Sequence, residues 1–231
     1  VAIITGASRG IGAETAKKLA IDNYNIVLNY NKSENEAIKI KKQLLDIGKK
    51  IEIFKANVSN REEVKKLVQF TLKKFGKIDI LINNAGALIN KPFMETSLAE
   101  FADSLNSNFM GHIAMIQHIA PLMNNGGHIV NISSMGGFQG SAKFAGLSAY
   151  SASKAALAVL TECLAEEFKE QQIKVNCLAL GSSQTEMFEA AFPDAQAGTL
   201  AFEMGRYVAE FAQNGHKFYN GKILPVAMTT P

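Results

Sequence analysis

Short apolar runs alternate with longer amphipathic segments along the chain, and this alternation restricts the possible folds more than any other feature. Seven runs are rich in Val, Ile and Leu, and they lie at Val1–Thr5, Ile26–Tyr30, Ile51–Ala56, Ile78–Asn83, His128–Ser133, Lys174–Ala179 and Lys222–Val226. Several are apolar at successive residues, which is typical of strands covered on both faces. The segments between them, among them Ile11–Ala20, Asn35–Ile47 and Glu62–Phe75, have helical periodicity. We therefore predict an α/β fold, a doubly wound three-layer sandwich around a seven-stranded parallel sheet.

Length and composition predict a single domain that spans residues 1–231. Of the 231 residues, 47% are hydrophobic and 19% charged, and no linker or repeat interrupts the pattern. The net charge of +3 includes no block of like charge, so neither a nucleic-acid partner nor a membrane surface is expected. The two cysteines, Cys163 and Cys177, are expected to be free thiols in a reducing cytoplasm.

The first residues predict no secretory signal peptide, because no basic leader precedes a short apolar stretch. The chain starts at Val1, which already belongs to a strand pattern. We therefore expect that a few residues precede this sequence in the natural protein.

A glycine-rich turn follows the first predicted strand and opens the first predicted helix. It reads Thr5-Gly-Ala-Ser-Arg-Gly-Ile-Gly12. Glycines at such a turn allow a tight backbone and let amide groups approach a pyrophosphate. The alternative is a simple tight connection, but the place between strand and helix favours nucleotide binding. The candidate contacts are Gly6, Ser8, Arg9, Gly10, Ile11 and Gly12.

Tyr150 and Lys154 lie one helical turn apart in a third informative stretch, Tyr-Ser-Ala-Ser-Lys. Residues at i and i+4 share a helix face, so both side chains can reach one pocket. A free Tyr has a pKa of about 10, and a neighbouring cation lowers that pKa toward the working range of a general base. Taken alone, the pair is better explained by a surface Tyr and Lys on an Ala-rich helix, and only the other motifs favour a functional pair.

In combination, these motifs resemble those of the short-chain dehydrogenase/reductase family, and in particular its 3-oxoacyl-[acyl-carrier-protein] reductase-like members. Between the glycine turn and the Tyr-x-x-x-Lys motif, the chain has Asn83-Asn84-Ala85-Gly86, Asn108 and Ser134 in the family order. The similarity extends from Val1 to about Thr185. The resemblance implies a Rossmann fold and an NAD(P)-dependent oxidoreductase that interconverts a carbonyl group and an alcohol.

The resemblance also implies catalytic roles. Tyr150 is expected to act as general acid in reduction, and Lys154 to lower the pKa of Tyr150 and to bind the nicotinamide ribose. Ser134 is expected to bind the substrate carbonyl oxygen, and Asn108 to position a water that links Lys154 to solvent. Ser133 and Ser134 point to opposite faces of a strand, so only one faces the cofactor, and the family pattern favours Ser134.

Further cofactor contacts follow from the resemblance alone. They are Asn57, Val58, Asn84, Ala85, Gly86, Tyr150, Lys154, Gly181 and Thr185. Two of these positions depart from the family pattern. Asn57 stands where Asp is usual, and Leu180-Gly181 stands where Pro-Gly is usual.

Charge at the end of the second predicted strand indicates the cofactor. An acidic residue there would bond the ribose 2′-hydroxyl of NAD and repel a 2′-phosphate. The chain instead reads Asn29-Tyr30-Asn31-Lys32, and both Arg9 and Lys32 would attract the phosphate. We therefore predict NADP(H), with NAD(H) as the alternative, and Tyr30, Asn31 and Lys32 as contacts.

No metal site is predicted, because the histidines show no ligand spacing with Cys or carboxylates and are expected to be structural or on the surface. They are His112, His118, His128 and His216. Phe138 and Phe144, in the loop before Tyr150, either line a substrate pocket or only anchor that loop. The irregular segment Gly181–Gly205 predicts a substrate lid, followed by a helix at about Arg206–Gln213.

The predicted function is the reversible, NADP(H)-dependent reduction of a small-molecule ketone or aldehyde, such as a 3-oxoacyl thioester. The alternative is a cofactor-binding sensor or scaffold with little turnover, which has no need of the Tyr–Lys pair. Helix Met110–Met123 and the Tyr150 helix have apolar residues on more than one face, so a homodimer or homotetramer is expected. The tail Val226–Pro231 differs from the family pattern and weakens any expectation of contacts through the tail.

Overall fold

The computed structural model describes residues 1–123 and 126–228, and it has a seven-stranded parallel sheet as predicted. The strands are β1 (Ala2–Ile4), β2 (Ile26–Tyr30), β3 (Ile51–Lys55), β4 (Ile80–Asn83), β5 (His128–Ser134), β6 (Lys174–Leu180) and β7 (Ile223–Val226). Their order across the sheet is β3-β2-β1-β4-β5-β6-β7, and every neighbouring pair is parallel. The prediction of a doubly wound α/β fold is confirmed. The tail residues Thr229–Pro231 lie outside the described residues.

Helices connect the strands and cover both faces of the sheet. They are α1 (Gly10–Ile21), α2 (Glu34–Asp46), α3 (Arg61–Phe75), α4 (Leu98–Leu105), α5 (Gly111–Ile119), α6 (Ser148–Glu167), α7 (Glu186–Ala191) and α8 (Ala201–Asn214). Local sequence explains their ends. The Asn60 side chain accepts hydrogen bonds from the first amides of α3, and Gly76, with a φ of 75°, ends that helix. No helix in residues 1–123 or 126–228 combines the length and the apolar character that crossing a membrane requires.

Two apolar cores lie on opposite faces of the sheet, which explains why the strands are apolar at successive residues. Ile4 packs in the core beneath α1, α2 and α8, and its neighbour Ile3 packs in the core beneath α3, α5 and α6. Because side chains alternate along a strand, a strand buried on both faces needs an apolar residue at every position.

The chain reverses its direction of winding between β1 and β4. After β1 it builds outward through β2 and β3, and it then returns to place β4 on the other side of β1. In open α/β sheets, ligands bind outside the carboxyl ends of the strands at such a switch point. The turns that follow β1 and β4 contain the Gly-rich and Asn-Ala-Gly motifs, so the fold brings these motifs together.

The last helix begins five residues earlier than predicted, so residues 201–205 are not part of an irregular lid. A Cβ on Gly205 would lie 2.5 Å from the Glu14 Cβ, so glycine is needed for α8 to approach α1 this closely. The Thr15 hydroxyl donates to the Gly205 carbonyl at 3.2 Å across the same contact. Gly205 therefore serves helix packing. Residues 181–200, which lie between β6 and α8 and contain the short helix α7, are named here the β6–α8 segment.

Candidate active site

One cleft of about 700 Å³ lies at the carboxyl ends of the central strands. Its lining includes the glycine turn after β1, the Asn-Ala-Gly turn after β4, Ser134 at the end of β5, and Tyr150 and Lys154 of α6. These motifs are up to 148 residues apart in the sequence (Gly6 to Lys154) and meet in one place. The cleft extends beyond them beneath the β6–α8 segment.

The glycine turn has the backbone that a bound pyrophosphate requires. Gly6 and Gly10 have φ values of 61° and 57°, in the left-handed region that favours glycine. A Cβ on Gly6 would lie 2.7 Å from the Ala85 Cα, and one on Gly12 would lie 2.4 Å from Asn84 Nδ2. The turn leads directly into α1, whose first amides have no helical partner and point toward the cleft side of the sheet. The residues present therefore fit a dinucleotide.

The Asn-Ala-Gly turn is hydrogen-bonded to the glycine turn. The Thr5 hydroxyl accepts from the backbone amides of Asn84 and Ala85 at 2.9 Å each. The Asn84 side chain donates to the carbonyls of Thr5 and Gly6 at 2.9 and 3.1 Å. The Asn84 amide group is thus occupied by the protein, and its role is to hold the two turns together at the cleft.

His112, a buried residue of α5, holds the Asn-Ala-Gly turn in place. Its Nε2 lies 2.7 Å from the Ala85 carbonyl oxygen, and burial lowers its pKa to about 3. The ring is therefore neutral at pH 7 and donates through Nε2. This placement agrees with the prediction of structural histidines, and within the described residues no group of three His, Cys, Asp or Glu side chains could hold a metal ion.

Asn108 lies in a π-helical segment, Asn106–Met110, that joins α4 to α5. Its Oδ1 accepts from the Ala87 amide at 2.9 Å, and its Nδ2 donates to the Ala87 carbonyl at 2.9 Å and to the Ser153 hydroxyl at 3.0 Å. π-Helical turns are frequent at functional sites because they displace one side chain from the regular helix. Asn108 is fully buried behind Gly86 and Ala87, so it supports the cleft but does not line it.

Tyr150 and Lys154 share one face of α6, as their spacing predicts. The Lys154 Nζ lies 5.9 Å from the centre of the Tyr150 ring and donates to the Ile132 carbonyl at 2.7 Å. Lys154 is buried and Tyr150 is half-buried, and both line the cleft. The pair therefore belongs to a site and is not an exposed Tyr and Lys on a helix surface.

Strand alternation separates the roles of Ser133 and Ser134. The Ser133 hydroxyl donates to the Lys154 carbonyl at 2.8 Å, which attaches α6 to β5. The Ser134 hydroxyl accepts from the Gly136 amide at 3.1 Å, and it lies in contact with Tyr150 at the cleft. The Ser133 hydroxyl proton is thus engaged by α6, which supports the expectation, taken from the family pattern, that Ser134 is the serine that binds a substrate.

Burial shifts the pKa values of both Tyr150 and Lys154 so that the neutral form of each is favoured. It lowers the pKa of Lys154 to about 8, so the ammonium group is still charged at pH 7. It raises the pKa of Tyr150 above its usual value, and the contact with Ser134 opposes this rise. The lowering of the Tyr150 pKa by Lys154, which the resemblance implies, is not among the causes acting on the phenol in this structure. The role of Lys154 toward the phenol therefore remains a proposal.

At the other end of the cleft, Arg9 and Lys32 are the cations that line the predicted 2′-phosphate region, together with Asn31. The Arg9 guanidinium, 59% exposed, is paired with Glu186 at the start of α7 at 2.7 Å. This contact spans 177 residues and joins the glycine turn to the β6–α8 segment.

Tyr30 does not line the cleft, contrary to the prediction of a cofactor contact. Its ring packs in the core beneath α1 and α2, and its hydroxyl donates to Glu34 at 3.0 Å. Its neighbour Asn29 points the other way, accepts from the Gly6 amide at 3.3 Å and lines the cleft. Strand alternation was the signal that could have identified Asn29, because Asn29 and Asn31 lie on the same side.

Apolar residues of the loop before Tyr150 and of α7 also line the cleft. Of the two loop phenylalanines, Phe144 lines the cleft and Phe138 does not. The other predicted contacts that line the cleft are Ser8, Ile11, Asn57, Val58, Gly181 and Thr185. From the predicted lid segment, the cleft is lined by Ser183, Met187, Phe188, Phe192 and Ala195. Lining residues that the sequence did not identify include Ala56, Ser59, Leu88, Ser107, Ile132, Met135 and Leu147.

A comparison with family models decides the family. The model of the short chain dehydrogenases matches residues 1–196, which is most of the chain. The chain belongs to the short-chain dehydrogenase/reductase family. It is an NAD(P)-dependent oxidoreductase with a Rossmann fold.

Individual members of the short-chain dehydrogenase/reductase family agree with this assignment. A 3-oxoacyl-[acyl-carrier-protein] reductase of Synechocystis is 35% identical over 191 residues, 82% of this chain and 76% of the relative. A hydroxynaphthalene reductase-like protein of Metarhizium robertsii is 32% identical over 223 residues, 93% of this chain and 81% of the relative. The solved structure of a short chain dehydrogenase from Burkholderia cenocepacia, in complex with NADP, superimposes with a TM-score of 0.90 at 31% identity, and the match covers 97% of this chain and 95% of that one.

Proposed function

We propose that the chain reduces the carbonyl group of a small ketone or aldehyde to an alcohol with NADPH, and catalyses the reverse reaction with NADP⁺. One observation carries the proposal. A half-buried phenol, a buried ammonium group and a serine hydroxyl surround one end of a cleft whose other end is a dinucleotide-type glycine turn. A sensor or scaffold would need the glycine turn but not this set.

The residues of the chain supply the proton and stabilise the charge that develops on oxygen. When bound, the cofactor supplies the hydride. The Ser134 hydroxyl donates to the substrate oxygen, and the Tyr150 hydroxyl transfers its proton to the same oxygen as the C–H bond forms. Lys154 holds a positive charge near the phenol and favours its ionised form after the transfer. Asn108 keeps the Asn-Ala-Gly turn in place beside them.

The reduction is tested by measuring NADPH consumption with a panel of ketones and aldehydes, alongside NADPH binding by fluorescence. Turnover of at least one carbonyl compound, with formation of the matching alcohol, is expected. Tight NADPH binding with no turnover on any member of the panel would support the sensor and contradict the proposed reaction.

Two cations in the cleft, and no carboxylate that lines it at the end of β2, support NADP(H) over NAD(H). Arg9 and Lys32 line the cleft, and Asn29 and Asn31, which face the cleft at the end of β2, offer no carboxylate of the kind that would favour NAD. Glu186, which is paired with Arg9, is the one acidic side chain among the described residues that line the cleft. An incoming 2′-phosphate would compete with this carboxylate for the Arg9 guanidinium.

Arg9→Ala is expected to reduce the preference for NADPH over NADH by about tenfold, because it removes a charge-assisted hydrogen bond to phosphate. Glu186→Gln is expected to tighten NADPH binding by no more than about fivefold, because an exposed ion pair contributes little. Dissociation constants for both cofactors, measured by fluorescence, check both values. Arg206→Ala, which removes another exposed arginine paired with a glutamate, is the matched control. An unchanged cofactor preference in Arg9→Ala would contradict this role.

We also propose that two copies of the chain associate through the outer face of α4 and α6. Apolar side chains are exposed there, with Leu98 88%, Leu105 38% and Val159 59% exposed. Exposed apolar groups on neighbouring helices favour a self-complementary contact. Light scattering after gel filtration should give a dimer or tetramer, and Val159→Glu should shift it toward the monomer. A monomeric wild-type protein at micromolar concentration would contradict the proposal.

The named relatives suggest two classes of ketone. One relative is named for a 3-oxoacyl thioester on a carrier protein, and the other for a hydroxylated fused aromatic ring. Both classes contain a carbonyl group that fits between Ser134 and Tyr150, so the catalytic residues do not distinguish them.

A further inference from the structure

The substrate end of the cleft has a wall of three phenylalanine rings near Tyr150. Phe144 comes from the loop before α6, Phe188 from α7 and Phe192 from the end of α7. The Phe144 and Phe192 ring centres are 6.5 Å apart at an interplanar angle of 61°, and those of Phe188 and Phe192 are 5.4 Å apart at 41°. All three line the cleft, and we refer to them as the aromatic wall.

Two hydrogen bonds to backbone carbonyls hold the two segments that carry the aromatic wall at a fixed separation. The Asn90 side chain donates to the Ala191 carbonyl at 2.8 Å, next to Phe192. The Lys91 amide donates to the Gly146 carbonyl at 2.9 Å, two residues after Phe144. Gly146 has a φ of 84°, and a Cβ there would collide with Asn90 Oδ1. The two segments that carry the wall are therefore held in a fixed position, because Asn90 and Lys91, which are adjacent in the chain, bond to both of them.

The aromatic wall itself carries no charge, and the charged side chains that line the cleft have partners or belong to its cofactor end. Among the described residues that line the cleft, the charged side chains are Arg9, Lys32, Lys154 and Glu186. Arg9 and Lys32 belong to the cofactor end, Glu186 is paired with Arg9, and the Lys154 ammonium group is directed to the Ile132 carbonyl. A carboxylate or phosphate on the substrate would find no cation among the wall residues, and Arg9, which reaches α7, is already paired with Glu186.

Apolar and sulfur-containing side chains complete the surroundings of the wall. Leu88, Met135, Leu147 and Met187 line the same cleft as the wall. Thioether groups and phenyl rings make favourable contacts with aromatic rings, at the edge or in an offset stack. Phe144 and Met187 are 59% and 42% exposed, so their surfaces are available to a ligand.

We propose that the substrate is an uncharged, flat aromatic ketone whose ring system packs against the aromatic wall, and that Phe192 is the main residue that selects it. The proposal rests on the carbonyl reduction proposed above. The carbonyl carbon gains the hydride of NADPH, the oxygen gains the proton of Tyr150, and the products are the secondary alcohol and NADP⁺. Phe192 is decisive because its ring contacts both other rings of the wall.

Three ketones separate aromatic recognition from size and from the thioester alternative. 2-Tetralone carries a flat benzene ring fused to the ring that bears the ketone, trans-2-decalone is its fully saturated counterpart, and the N-acetylcysteamine thioester of acetoacetate represents 3-oxoacyl thioesters. In the wild-type protein, kcat/KM for 2-tetralone is expected to exceed that for trans-2-decalone by about tenfold or more, because ring contacts favour only the aromatic ketone. Phe192→Leu is expected to reduce this ratio to about two.

Phe144→Leu tests the same wall from its other flank, so the test does not depend on one variant folding well. Phe218→Leu is the matched control, because Phe218 is 78% exposed and does not line the cleft. A ratio near one in the wild-type protein, an unchanged ratio in both wall variants, or faster turnover of the thioester would overturn the aromatic substrate and leave the reduction intact. Failure to reduce any of the three, while other members of the carbonyl panel are reduced, would also overturn the aromatic substrate, and no turnover on the whole panel, with NADPH bound, would overturn the proposed reaction as well.

Discussion

Tyr150→Phe is expected to lower kcat for carbonyl reduction by about 10²- to 10⁴-fold, the usual contribution of a positioned general acid. The substitution removes one hydroxyl and keeps the ring, so the Lys154 position and the glycine turn are unaffected. NADPH affinity should therefore change by less than about threefold. Single-turnover rates and fluorescence titration of NADPH measure the two effects separately.

Tyr207→Phe is the matched control for Tyr150→Phe. Tyr207 lies on α8 outside the cleft and is 40% exposed, so its loss of a hydroxyl should leave turnover unchanged. Thermal unfolding of both variants shows whether either substitution perturbs the fold. If Tyr150→Phe keeps wild-type turnover, another group must deliver the proton, and the role assigned to Tyr150 is wrong.

The strands could be predicted because burial on both faces leaves a direct signature in sequence. A parallel strand between two helical layers needs apolar side chains at successive positions, as at Ile3 and Ile4, and polar turns interrupt these runs clearly. The sequence pattern predicts the start of α8 five residues too late, for a different reason. Gly205 weakens a helical pattern locally, and its benefit, close contact with Glu14 of α1, involves residues far away in the sequence.

The position of the site could also be predicted, because its motifs follow strands whose carboxyl ends meet at the switch point. Polarity alone does not show which of two adjacent polar residues of a strand faces the cleft. The family pattern favours Ser134 over Ser133. The structure adds a physical reason, because the Ser133 hydroxyl donates to the Lys154 carbonyl of α6. Tyr30 was assigned to the cofactor although strand alternation places it opposite Asn29, in the core.

Contacts between distant segments had no signal in the sequence. The pairing of Arg9 with Glu186 depends on how the β6–α8 segment folds back over the glycine turn. The same holds for the bond from Asn90 to Ala191, which sets the geometry of the aromatic wall. Single-sequence patterns report local periodicity, whereas these bonds follow from the packing of the whole domain.

The pH dependence of reduction is expected to report the pKa of Lys154. Burial lowers that pKa to about 8, so the ammonium group is charged below pH 8 and becomes neutral as the pH rises through this value. Burial raises the pKa of Tyr150 above its ordinary value, so the phenol keeps its proton throughout the range up to pH 9. We therefore expect kcat/KM for reduction to fall above about pH 8, because the cation that stabilises the ionised phenol is lost.

Lys154→Arg and Lys154→Met test which group causes this fall. An arginine stays charged in proteins, so the fall near pH 8 should move beyond about pH 9 in Lys154→Arg, at a reduced kcat. Lys154→Met should lower kcat by about 10²-fold or more and show no fall near pH 8, because no titrating cation remains. The measurement is kcat/KM for one ketone between about pH 6 and 10 at constant ionic strength. A fall that stays near pH 8 in the arginine variant would assign it to Tyr150, with its pKa lowered by either cation, and would contradict the assignment to Lys154.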